Sequence, residues 1–124
     1  MQSIPPSLRN WFIIHFVADM IFGVPLLLIP GKMLQVFGFP SDHFFFARLV
    51  GAALIGIGGS SFLARNSVIE VFRGLLELKI LWSATAIIGI LLSIYDRAPR
   101  SAWLFLAIFC VFSSAWITFR YKLR

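Results

Sequence analysis

Four ionisable side chains lie inside otherwise apolar stretches of this sequence: His15, Asp19, Arg48 and Glu77. His15 and Asp19 stand four positions apart, so on a helix they share one face, one turn from each other. A charge near the centre of a bilayer costs roughly 2.5–3.5 kcal/mol on insertion scales, so each of these groups calls for a partner. With antiparallel helices and a rise of about 1.5 Å per residue, Asp19 comes within roughly 9 Å, along the membrane normal, of the Arg48 backbone. An arginine side chain leaning inward closes most of that gap. His15 and Glu77 fall at similar depth. The spacing therefore predicts one polar seam, with Arg48 on Asp19 and His15 bridging Asp19 to Glu77.

Such a seam has two readings. It can line a pocket that binds a ligand or handles protons, or it can fix which helices associate, with Glu77 snorkelling or pairing with Arg73 at the membrane surface. A metal site is not expected, because His15 and Asp19 alone do not complete a coordination sphere. His43, beside Asp42, suits a cap or a surface position. Cys110 lies in an apolar stretch and suits the role of a small buried side chain. No set of nucleophile, base and orienting group can be picked out, nor a zinc signature or phosphate loop. No catalytic residue and no cofactor is assigned, and enzymatic activity is not expected.

The elements that must position these groups are transmembrane helices. The chain has 124 residues, 60% of them hydrophobic and 13% charged, where soluble domains carry roughly 25% charged residues. A water-soluble fold of this size could not hide so much apolar surface. Four hydrophobic stretches of near-spanning length are read at about 11–29, 44–64, 68–95 and 102–119. The expected fold is all-α: a polytopic membrane protein forming one antiparallel four-helix transmembrane domain over 1–124. Ser41 and Asp42 after Pro40 suggest an N-cap for the second span, and Ser67 with Glu70 suggests a capping box for the third. Met33, Leu34, Phe37 and Phe39 are too few to cross a bilayer and suit its surface.

Within the second span, Arg48, Ala52, Gly56, Ser60 and Ala64 recur every four residues. Small side chains at that spacing let a neighbouring helix approach closely, so Ala52, Gly56 and Ser60 are expected to be buried in helix packing. The formal charge of +6 comes from basic residues scattered through the breaks and the C-terminal tail, which argues against a nucleic-acid partner and for anionic headgroups. Seven basic residues, Arg9, Arg65, Arg73, Lys79, Arg120, Lys122 and Arg124, fall on one side; Lys32, Arg48, Arg97 and Arg100 fall on the other. The positive-inside bias then places both termini in the cytoplasm of a cell-membrane protein. Trp11, Trp116 and Tyr121 sit near the inner boundary of the spans, Tyr95 and Trp103 near the outer.

Pro30-Gly31, Phe37-Gly38 and the run from Arg48 to Gly58 give the chain a likeness to a known group. In these positions, mainly in the second span, it resembles the small bacterial four-helix membrane proteins grouped as DoxX-like. The resemblance implies the four-helix fold. Some members of that group are associated with quinone-linked oxidoreductase complexes, which implies a lipid-like ligand or a larger partner. The function expected is binding or transport of a lipid-like or small amphipathic molecule at His15, Asp19, Arg48 and Glu77. The alternative is an accessory or structural subunit, docked on another membrane protein or on copies of itself. Membrane lipids are expected partners in either case.

Overall fold

A computed structural model describes residues 3–123, and every regular element among them is helical. The elements are α1 (Pro6–Leu28), α2 (Pro30–Val36), α3 (Phe45–Leu63), α4 (Ile69–Tyr95) and α5 (Ser101–Lys122). Four of them, α1, α3, α4 and α5, are long and apolar enough to cross a bilayer, as expected of a multi-pass membrane protein. The fifth, α2, covers Met33 and Leu34 of the segment expected at the bilayer surface and is a short helix started by Pro30.

Two helix ends differ from expectation. The carbonyl of Phe44 accepts the first helical bond of α3 from the Arg48 amide, so α3 starts after Ser41 and Asp42, and neither is its cap. In α4 the cap is Val68, in extended conformation, with no side-chain hydrogen bond. Ser67 lies one residue too far upstream for the capping box, and Val68 O takes the amides of Val71 and Phe72.

Two other ends close with the same pair of bonds. After α2, Gly38 adopts φ 82°, and Gly38 N and Phe39 N donate to Gln35 O and Leu34 O. After α4, Arg97 adopts φ 66°, and Arg97 N and Ala98 N donate to Ile94 O and Ser93 O. Both are Schellman closures, one on the glycine that suits the left-handed position and one on an arginine that does not.

The chain divides into two compact units, Phe12–Leu63 and the pair of segments Met1–Trp11 and Ala64–Arg124. Within Phe12–Leu63, α1 and α3 run antiparallel. Phe16 stacks on Phe62 with ring centroids 4.5 Å apart, and further along Gly23 meets Gly51. A Cβ on Gly51 would fall 2.7 Å from Gly23 O, so the two backbones are nearly in contact.

In the other unit, α4 and α5 form an antiparallel hairpin. Trp82 lies against Phe109 at 6.2 Å, and near its open end Arg120 reaches Glu77. Large buried apolar side chains of this unit, Leu8, Phe72, Leu76, Trp116, Phe119 and Leu123, gather toward that open end. Trp11 sets its edge against Phe112 and Trp116 there. Trp116 is therefore a core residue, not one of the boundary aromatics expected from its position.

Within this chain the expected packing stripe is not the buried face of α3. Ala52, Gly56 and Ser60 are exposed, and a Cβ added to Gly56 would meet nothing within 4 Å. The buried face is Gly51, Leu54, Gly58 and Ser61. At 3.6 residues per turn, a strict four-residue step drifts about 40° each time and leaves the interface after a few steps. Alternating steps of three and four stay on one face, as 51, 54, 58 and 61 do.

Candidate functional site

On the buried side of α1, His15 Nε2 lies 3.2 Å from Asp19 Oδ2, and the side chains are 5% and 8% exposed. The pairing follows from their four-residue spacing, which stacks the two groups on one helix face. Room for the carboxylate comes from α3. A Cβ at Gly58 would stand 2.6 Å from Asp19 Cβ and 2.9 Å from Oδ2, so only glycine fits there. Ser61, fully buried one turn further along α3, turns its hydroxyl back to Ile57 O. A histidine and a carboxylate held this way in an apolar layer can share a proton or orient a polar ligand group.

Arg48 does not join them. Its Nε donates to Leu27 O at 3.2 Å, and its guanidinium lies 5.7 Å from the Phe44 ring centroid. Leu27 is in the last turn of α1, where carbonyls have no helical partner and attract a cation. It also lies about 12 Å along that helix from Asp19, so an arginine capping α1 points away from the expected carboxylate.

Around Arg48 lies an open groove of about 610 Å³, lined by Leu27, Asp42, His43, Phe44, Phe45, Leu49 and Ala52. His43, expected as a cap or surface residue, is an exposed part of that lining.

Glu77 belongs to the α4–α5 unit. Its Oε1 accepts from Arg120 Nη2 at 2.8 Å and Nε at 3.2 Å, in a solvent-facing ion pair. The sequence offered His15 in the seam, or Arg73 at the membrane surface, as its partner; Arg73 Nε donates to Leu123 O at 2.8 Å. Of the four residues proposed for the seam, the structure brings His15 and Asp19 together. It sets Arg48 in a groove of its own and gives Glu77 to Arg120.

The residue that sequence reasoning undervalued is Lys79. Counted above among the headgroup cations, it is 1% exposed, with Nζ 4.9 Å from the Trp116 ring centroid. Ser83, one turn along α4, and Ser113 on α5 are also buried. The available signal was depth: Lys79 lies well inside the third span rather than near its end. With Lys79 withdrawn, the charge bias becomes six against four, and one of those six, Arg124, lies outside the described residues.

Cys110 is exposed on α5, not buried as expected, and its backbone carbonyl accepts the Ser114 hydroxyl at 2.8 Å. No group of three or more potential metal ligands exists among the described residues. No family model, no curated protein and no solved structure matches the chain.

Proposed function

We propose that this protein binds an anionic, lipid-like amphiphile in the Arg48 groove. The observation that carries the reading is a guanidinium fixed by Leu27 O and the Phe44 ring at the edge of a largely apolar groove. Its volume of about 610 Å³ falls within the range of small-molecule sites, roughly 300–1,000 Å³. An acidic head would take the donors Arg48 does not spend on Leu27, and a hydrocarbon tail would lie against Phe45, Leu49 and Ala52. In this reading the four long helices form an antiparallel bundle with both termini in the cytoplasm, and the groove opens at the outer leaflet. The DoxX-like resemblance, with its implied lipid-like ligand, points the same way.

The test is native mass spectrometry of gently solubilised protein, followed by identification of retained small molecules. The wild type is expected to keep an acidic amphiphile that Arg48→Ala loses and Arg100→Ala keeps. Retention unchanged in Arg48→Ala overturns the reading.

One observation favours a second reading, an accessory subunit or homo-oligomer. The small side chains of Ala52, Gly56 and Ser60 face outward on α3, where a further helix could approach closely. The same spectra report copy number and bound polypeptides, so a stable complex lost in Gly56→Leu favours this second reading.

A further inference from the structure

The open end of the α4–α5 unit carries a basic network that the Arg48 groove does not use. Arg9 donates through Nη1 to Arg65 O and lies 5.4 Å over the Phe72 ring. Next to Phe72, Arg73 holds Leu123 O at 2.8 Å, and Arg120 Nη1 reaches the same carbonyl at 3.3 Å. Lys122 Nζ stands 5.8 Å from the Phe119 ring centroid. Beneath these groups Leu8, Phe72, Leu76, Phe119 and Leu123 are packed almost without exposure. The apolar layer is closed, and carbonyls and aromatic faces hold the cations over it.

Its charge is unbalanced. Five basic residues, Arg9, Arg65, Arg73, Arg120 and Lys122, stand in these segments against two acidic ones, Glu70 and Glu77, and Arg120 pairs with Glu77. A guanidinium carries five donors, of which Arg9 commits one to Arg65 O. The network also sits at the ends of three apolar helices, α1, α4 and α5, which is headgroup depth if they span a bilayer. Cations already fixed in place lose little freedom on meeting a phosphodiester, and nearby hydrocarbon receives the acyl chains.

We infer that this basic platform is a binding site for the headgroup of an acidic phospholipid. Arg9 and Lys122 supply the accessible charge, and Arg73 and Arg120 hold the chain end that forms the floor. The site is independent of the Arg48 groove.

The experiment compares lipid retention in native mass spectra and thermal stability in detergent, with phosphatidylglycerol, phosphatidylcholine or inorganic phosphate added. The wild type is expected to retain and be stabilised by phosphatidylglycerol over phosphatidylcholine, and to ignore free phosphate. Arg9→Gln and Lys122→Gln should each weaken the preference about fivefold, the factor for roughly one surface cation. Arg48→Ala should remove only the amphiphile held in its own groove and leave the fivefold effects of Arg9→Gln and Lys122→Gln unchanged. If Arg9→Gln fails to fold, Lys122→Gln alone and loss of the wild-type preference at high salt carry the test. Equal response to both lipids, or an equal effect of inorganic phosphate, overturns the proposal. So does a preference that survives Arg9→Gln and Lys122→Gln but disappears in Arg48→Ala.

Discussion

Asp19 is the residue whose surroundings are most constrained, because a carboxylate in an apolar layer must be met on every side. His15 meets it from its own helix, and Gly58 makes way for it from α3. The first relation is legible in sequence, since a four-residue spacing on a helix has one geometric outcome. The second is not, because Gly51, Gly56, Gly58 and Gly59 look alike until the contact face is known. Substitution separates them. Gly58→Ala forces a methyl into Asp19 and should cost about 1–3 kcal/mol, the range for overpacking a filled site. Gly56→Ala, with open space around it, should be neutral or gain up to about 1 kcal/mol from helix propensity. Thermal unfolding of the two variants in one detergent decides the matter, and matching midpoints would refute the buried face assigned to α3. Arg48 and Lys79 mark the limit of such reading. The partner of the first is a helix-end carbonyl, and the depth of the second depends on where α4 meets the surface.

At the scale of elements, hydrophobic length located every long helix, because only spans keep apolar residues running for twenty positions. The ends were harder. Helix α1 begins at Pro6 rather than near residue 11, and α5 continues to Lys122 rather than stopping near 119. Residues 6–10 and 120–122 are helical turns, and they carry Arg9, Arg120 and Lys122 of the basic platform, a placement that hydropathy cannot register. The turn after α4 offers a cleaner measure of local strain. Arg97 occupies a left-handed position that costs an L-residue roughly 1–2 kcal/mol and costs glycine almost nothing. Arg97→Gly should therefore stabilise the protein by about 1 kcal/mol, less whatever glycine adds to the entropy of the unfolded chain. Arg97→Ala should bring no gain. Paired melting curves check this, and a gain for alanine equal to that for glycine would locate the effect in charge rather than in backbone geometry.

For the whole molecule, orientation rests on a charge bias that the structure makes narrower, since Lys79 is buried. The basic residues at the open end of the α4–α5 hairpin still outnumber those at the opposite turn, where Arg97 and Arg100 lie. Reporter fusions after Lys122 and at Pro99 should therefore give cytoplasmic and periplasmic signals respectively. The reverse pattern would invert the topology and move the Arg48 groove to the inner leaflet. Membrane character and the number of long apolar helices were legible because they depend on composition and length. The division into two units was not, because it arises from contacts between Met1–Trp11 and Ala64–Arg124, segments distant in the chain.

That discontinuity bears on how the protein is made. The unit Phe12–Leu63 is one unbroken stretch, and its contacts are all encoded once Leu63 has left the ribosome. The other unit joins segments on either side of that stretch and includes Leu123, 1% exposed, whose carbonyl accepts from Arg73 and Arg120. Until translation has passed Leu123, Arg73 and Arg120 lack that acceptor, so this unit closes only after Phe12–Leu63 can already have folded. A nascent chain would thus meet quality control with one unit complete and the other still open.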